Sequence, residues 1–373
     1  MPEPVASTDP RAEESRRGHA HSPVSPVGRY VTIDAWRGVA ALSVLLFHSF
    51  GAFYDATLWA PLHPIRAVAW RGWLGLHLFF VLSGYCIFER LRVALHRGER
   101  PGAFLVDRVL RIFPVYWAAL LLSVALNGVT HAVTGAASLS PLSVSPGDWL
   151  ANLTLTHVFV GSPSFILVTW TLTCECSFYL ISAALLALAR TGAGLTGSFT
   201  AGALLCLTAF VMPASGWALP LATWPDFFAG MTVSFALGGR RAAAFAVLGA
   251  LTLAAWLPLE YHASDSRRFA LAFAWLLLAL RGADDWLSRR AMVRVLGWVG
   301  VFSYSLYLLH VQFASRVLNL GTRFLQPASA MFAVLWMLAI AAAVLGGWLF
   351  WRAVEKPCER WRIARRQSRL ASS

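Results

Sequence analysis

The chain has 373 residues, of which 58% are hydrophobic and 13% charged, with a formal net charge of +13. Ordinary soluble domains carry about 25% charged residues, and a mean hydropathy of +0.61 implies more apolar surface than a soluble fold of this length can hide. Those values exclude an ordinary soluble enzyme and make membrane spans, rather than soluble domains, the units to count.

Residues 1–28 mix Pro, Ser, Arg and Glu and read as a disordered cytoplasmic tail. They lack the apolar stretch of a cleavable signal peptide. Apolar runs follow at 33–53, 70–89, 113–133, 167–189, 195–212, 217–238, 242–259, 268–281, 297–318 and 330–352. Each is near the roughly 20 residues that a bilayer core requires, and the missing water inside lipid makes them helices. The expected fold is therefore an all-α polytopic membrane protein with about ten transmembrane helices. The sixth run is interrupted by Pro220 and Pro225, and the eighth is short.

Charge follows this topology. With the N-terminus in the cytoplasm, the inner connections hold Arg90, Arg92, Arg97, Arg100, Arg108 and Arg111, then Arg190, Arg240 and Arg241, and Arg281, Arg289, Arg290 and Arg294. The outer connection 134–166 has no Lys or Arg, and the exceptions on the outer side are Arg66, Arg71, Arg267, Arg268, Arg316 and Arg323. The asymmetry places both termini in the cytoplasm and argues against a nucleic-acid partner, whose basic residues would cluster on one element. The expected organisation is a tail at 1–28, a transmembrane domain at 29–355 and a basic cytoplasmic tail at 356–373. Lys356 is the single lysine, so arginine, the better bidentate phosphate ligand, supplies nearly all the positive charge.

Ionisable groups inside apolar runs are costly and mark candidate sites. In the first run, Arg37 and His48 are separated by three helical turns, which puts them on one stripe about 16 Å apart along the axis. His77 lies in the second run among Gly72, Gly75, Ser83 and Gly84, small residues that suit close helix packing. Arg108 and Arg111 are helical neighbours at the inner end of the third run and suit either phosphate or anionic lipid. Glu175 is a lone carboxylate in the fourth run and needs a partner from another helix; His48 is at a compatible depth. Tyr304 and His310 give the ninth run a polar side, fit for lining a site or joining helices. The five cysteines have neither disulfide nor zinc spacing. Cys174 and Cys176 point about 200° apart on a helix, so no metal is expected.

These segments together resemble the membrane-bound acyltransferase-3 family. The matching pieces are Ile33-Asp34-x-x-Arg37-Gly38 with His48, Gly75-x-x-Leu78-Phe79-Phe80-Val81-Leu82-Ser83-Gly84, Arg108-x-x-Arg111-Ile112-x-Pro114-x-Tyr116-Trp117, Trp170-x-Leu172-x-x-Glu175-x-x-Phe178-Tyr179 and Ser303-Tyr304-Ser305-Leu306-Tyr307-Leu308-x-His310. They occur in the family's order. Three positions depart from its usual pattern: Ala35 stands for Gly, His77 for Asp, and Cys176 for a second acid.

The resemblance implies O-acyl transfer from an acyl-CoA, with acetyl-CoA the expected donor, to a hydroxyl of a carbohydrate, glycolipid or glycosylated natural product. It implies a bacterial plasma-membrane enzyme in stand-alone form, without the soluble esterase-like domain of some relatives. The family's Arg–His pair falls on Arg37 and His48, and its R-x-x-R element on Arg108 and Arg111. His48 is then the expected general base, with Glu175 orienting it. Arg37, Arg108 and Arg111 bind the donor, and His77, Tyr304 and His310 contribute to substrate binding. A proton-coupled transporter is the competing reading, since intramembrane His, Glu and Arg also mark proton relays; the chain lacks the obvious inverted repeat of common transporter plans.

Overall fold

The computed structural model describes residues 30–53, 57–134, 144–210, 215–257 and 264–371. The expected disordered tail at 1–28 lies outside the described residues. Among those described there is no strand; the principal helices are α1 (Ile33–Phe50), α2 (Gly75–His96), α3 (Pro101–Thr134), α4 (Pro146–Leu153), α5 (Trp170–Leu188), α6 (Gly194–Leu205), α7 (Leu219–Leu237), α8 (Arg241–Ala254), α9 (Ser264–Leu280), α10 (Ala291–Val301), α11 (Ser303–Gly321), α12 (Ala330–Phe350) and α13 (Lys356–Ala371).

Three helical stretches among the described residues are long and apolar enough to cross a membrane, at Pro101–Ala132, Trp170–Ala209 and Ala330–Ser368; the second is kinked between α5 and α6 at Gly192, whose φ is +94°. A fourth is added if α10 and α11 form one broken span. The other apolar runs fall short for two physical reasons. α8 and α9 have 14 and 17 residues, less than the bilayer core requires of an untilted helix. α1, α2 and α7 are 18, 22 and 19 residues long, but part of each is polar: Asp34, Arg37 and His48 in α1, His77, Glu89, Arg90 and Arg92 in α2, Thr223 and Asp226 in α7.

Small residues set the closest helix crossings. A Cβ on Gly38 would lie 2.0 Å from the Leu296 carbonyl oxygen, and one on Gly300 would lie 1.7 Å from that of Asp34. α1 and α10 therefore touch backbone to backbone. The same holds for α2 and α7, where Cβ atoms on Gly84 and Gly230 would each stand 1.8 Å from a carbonyl oxygen, of Phe227 and Val81 respectively. Gly72 and Gly75 pack in the same way against Ser43 and Ala40 of α1. Around the α2–α7 crossing, Phe178 and Phe227 stack with centroids 4.2 Å apart.

Three local features refine the sequence reading. The run at 297–318 is not one straight helix: α10 and α11 meet at Phe302 with a bend of 77°. The break exposes the first-turn N–H groups of α11, and Glu355 accepts from the Ser305 amide at 3.2 Å and from its hydroxyl at 2.5 Å, which satisfies an otherwise orphaned helix end. The stretch read as a basic tail is helical from Lys356, and Arg362 of α13 donates to Asp107 of α3 at 2.7 Å. The prolines of the sixth run do not interrupt α7. Pro220 occupies its first turn, where no N–H is needed. Pro225 lies inside, and Arg267 donates to the nearby Ala222 carbonyl at 3.1 Å.

Candidate active site

Two cavities adjoin within the bundle and share Leu76 and Tyr307 as wall residues. One, of about 490 Å³, is lined by Arg37, Arg90, Arg97, Arg108, Arg111 and Arg366 together with Asp34, Glu89 and Glu175. The other, of about 680 Å³, is lined by His48, His77, Asp226, Arg267 and a mainly apolar remainder. The first is an arginine cavity and the second a histidine cavity. α1 runs past both, with Arg37 in the first and His48 in the second, as their shared stripe predicts.

The arginines are held by surrounding carboxylates and hydroxyls. Arg37 Nε donates to the Ser303 hydroxyl at 3.2 Å, at the mouth of the α10–α11 break. Arg108 contacts Asp107 directly, and its guanidinium lies 5.7 Å from the Phe104 ring centroid and 6.0 Å from that of Tyr179. Asp107 is thereby shared between Arg108 and Arg362. Arg90 pairs with Glu99 at 2.5 Å. Its Nε and Nη1 are buried without a hydrogen-bond partner among the described residues, as is Nε of Arg108. A buried guanidinium with unmet donors retains capacity for an anionic ligand.

Glu175 also belongs to the arginine cavity. Its carboxylate accepts from the Tyr179 hydroxyl at 2.5 Å and from that of Ser83 at 3.5 Å, and Arg111 is within electrostatic reach. The expected pairing of Glu175 with His48 is therefore not present: the two residues line different cavities. Depth alone suggested the match, but the direction of Glu175 on α5 is set by its i+4 neighbour Tyr179 and by α2. Tyr304 likewise lines the arginine cavity, and its hydroxyl donates to the Ile112 carbonyl at 3.2 Å.

His48 has a different partner. His310 Nε2 lies 3.1 Å from His48 Nδ1, and the ring centroids are 5.0 Å apart. His310 Nδ1 is 2.7 Å from the Tyr307 carbonyl. A carbonyl only accepts, so that contact places the His310 proton on Nδ1 and leaves Nε2 as a lone pair. His48 must then carry its proton on Nδ1, shared between His310 and the Val44 carbonyl at 3.0 Å. Nε2 of His48 is left unprotonated, which is the tautomer of a general base. His310 is only 1% exposed and lines neither cavity; it stands behind His48 rather than facing a substrate.

His77 lines the histidine cavity and pairs with Asp226 at 2.6 Å. Asp226 was not singled out from the sequence, although it carries the signal of Glu175, a carboxylate inside an apolar run. Glu355 carries little signal, lying beside Lys356 at the end of the last run. Arg366 carries none, being one of several arginines in a basic segment. Among the described residues no three His, Cys, Asp or Glu side chains gather as a metal ion requires.

Comparison with known proteins bears on this arrangement. The chain is 30% identical to the exopolysaccharide production protein ExoZ of Rhizobium meliloti (strain 1021) over 326 residues, covering 79% of this chain and 92% of that protein. It is 28% identical over 163 residues to protein 2 in the picA locus of Rhizobium radiobacter, covering 43% of this chain and 76% of that protein. No solved structure matches. The acyltransferase domain of the acyltransferase-3 family matches residues 30–352, a region that contains Arg37, His48, Arg108, Arg111, Glu175 and His310, and the chain belongs to that family of membrane acyltransferases.

Proposed function

We propose that the protein moves an acetyl group from acetyl-CoA to a carbohydrate hydroxyl, with the donor in the arginine cavity and the acceptor in the histidine cavity. The observation that carries this reading is their adjacency: a chamber lined by six arginines abuts one that holds a tautomerically defined His48. Phosphates require the former, and proton abstraction requires the latter. The relative named for exopolysaccharide production supports a polysaccharide or its lipid-linked precursor as acceptor. The charge pattern supports about ten spans with both termini cytoplasmic in a bacterial plasma membrane, which opens the arginine cavity toward cytoplasmic acetyl-CoA.

In this mechanism Arg108 and Arg111, with Arg37, hold the donor phosphates. The pantetheine arm runs along the α1 stripe toward Leu76 and Tyr307. His48 Nε2 takes the proton of the acceptor hydroxyl as its oxygen forms a bond to the thioester carbonyl carbon. The tetrahedral adduct collapses by breaking the carbon–sulfur bond, and the His48 imidazolium returns the proton to the departing CoA thiolate. General-base help of this kind contributes about 10²–10⁴-fold. His310 keeps His48 in the required tautomer, and Glu175, with Tyr179, positions the arginine wall.

The test is acetyl-CoA titrated into purified, detergent-solubilised protein. Saturable binding to wild type and His48→Ala, lost in Arg108→Ala/Arg111→Ala, is the expected result. Absence of binding to folded wild type at millimolar acetyl-CoA would reject the donor and favour a proton-coupled transporter, for which substrate-dependent proton flux is the corresponding assay.

A further inference from the structure

The arginines of the arginine cavity form two groups along α2. Its wall residues run from Leu76, where the cavities meet, to Arg97 just past the helix end. Arg90 is about 21 Å of helix axis from Leu76, and Arg97 about 32 Å. Arg111 is within electrostatic reach of Glu175, and Arg37 and Arg111 of Glu355, nearer the middle; Arg108 bridges the two groups, 6.0 Å from the ring of Tyr179, which bonds Glu175, and 5.7 Å from the Phe104 ring that Arg90 also approaches at 6.0 Å. Arg90 and Arg97 are beyond them, and the third member of this far group, Arg366, comes from α13.

The far group is built rather than scattered. Glu99 pairs with Arg90 at 2.5 Å and lies 4.0 Å from Arg366 Nη2, so one carboxylate is divided between two guanidiniums. Arg90 keeps two buried donors unmatched, and Arg366 remains 33% exposed at its side chain. α13 is fixed in place one turn earlier, where Arg362 grips the carboxylate that also holds Arg108. The matched family region ends at residue 352, so this helix lies outside what the family relationship describes.

We propose that α13 completes the donor site, with Arg366, Arg90 and Arg97 holding the 3′-phosphate at the nucleotide end of acyl-CoA while Arg108 and Arg111 hold its diphosphate. The inference rests on the acyl-CoA reading. Its chemistry follows from the ligand's charge layout: a diphosphate next to the pantetheine arm and a phosphate monoester on the ribose beyond it, matched by a middle and a far group of guanidiniums. A monoester dianion at the far group would take up the unmatched donors of Arg90 and the solvent-facing ones of Arg366.

The experiment measures binding of acetyl-CoA and of 3′-dephospho-acetyl-CoA to wild type, Arg366→Ala, Arg366→Lys and Arg365→Ala. Arg365 supplies the charge control, since it sits on the same helix over the Trp361 ring and does not line the cavity. Wild type is expected to favour acetyl-CoA over the dephospho form. Arg366→Ala is expected to weaken acetyl-CoA by about tenfold, the loss of one charge-assisted hydrogen bond, and to leave the dephospho form within about twofold. Arg366→Lys should restore part of the loss and Arg365→Ala should behave as wild type. Equal weakening of both ligands in Arg366→Ala, or no weakening of either, overturns the proposal while leaving the donor assignment intact. Failure of folded wild type to bind either ligand overturns the donor assignment and this inference with it.

Discussion

In the arginine cavity the hydrogen-bonding partners of the arginines are carboxylates or a hydroxyl: Asp107 for Arg108, Glu99 for Arg90, Ser303 for Arg37. In the histidine cavity His48 is held instead by another imidazole and a backbone carbonyl. Carboxylates that partner guanidiniums from behind keep their planes oriented and leave other N–H groups for a ligand. An imidazole bonded to a second imidazole needs a lone pair on one ring; here that lone pair is on His310 Nε2, which fixes the Nδ1 proton of His48 and leaves its Nε2 as the position that exchanges a proton. The first cavity is constructed to hold charge, the second to receive a proton. His77, with Asp226 at 2.6 Å, shows that the histidine cavity also has a carboxylate-bound imidazole, on α2 and α7 rather than behind His48.

The strongest way to break this comparison is His48→Ala. Acetyl transfer should fall by about 10²–10⁴-fold with acetyl-CoA affinity unchanged, measured by radiolabelled transfer and by titration. A variant that keeps full transfer would remove the base from the histidine cavity. The complementary change, Arg108→Ala, should raise the acetyl-CoA Kd by about 10–100-fold, the range for hydrogen bonds to a charged group, and affect kcat less. A third variant separates positioning from contact. His310→Phe should lower kcat by about 10–100-fold, as loss of an orienting partner does in metal-bound histidines, with acceptor KM little changed. His310→Gln retains a side-chain oxygen able to accept from His48 Nδ1 and should recover part of that loss. A substrate-contact role for His310 would instead show in KM and would not be rescued.

The helical character of the chain, the shared stripe of Arg37 and His48, and the arginine pair at the start of α3 were legible from periodicity and charge, because each is a property of one helix. What was not legible depends on two helices at once. Glu175 and His48 are compatible in depth, yet rotation of α5 turns the carboxylate toward Ser83 and Tyr179, and no one-dimensional pattern carries that angle. His310 looked like a lining residue because it ends a polar stripe, but the bend at Phe302 places it behind His48. Arg366 joins the cavity only because α13 docks on α3 through Asp107. Asp226 is the exception, since the rule that found Glu175 applies to it equally.

The smallest expected effect concerns the wall that only the histidine cavity has. Leu167 and Val168 line that cavity and follow a connection ordered by α4. α4 begins with a capping box in which the Asp148 carboxylate accepts from the Ser145 hydroxyl at 2.7 Å and its amide at 3.1 Å. It also accepts from the Ser162 hydroxyl at 2.5 Å, tying the start of α4 to the chain that leads to Leu167. The hydrogen bonds from Ser162 and Ser145 favour the ionised form and hold the Asp148 carboxyl below its ordinary range. A carboxyl depressed on folding contributes stability above its unfolded pKa, and that contribution is lost as the pH falls through the folded value. Asp148→Asn should therefore lower Tm slightly at neutral pH, with the gap to wild type closing in acid. Because Leu167 and Val168 line the histidine cavity alone, any functional consequence should appear first in acceptor KM with the acetyl-CoA Kd little changed; an equal change in Kd would mean that the two chambers are mechanically coupled, through Thr171, which bonds Val168 and lines the arginine cavity, and the shared Tyr307.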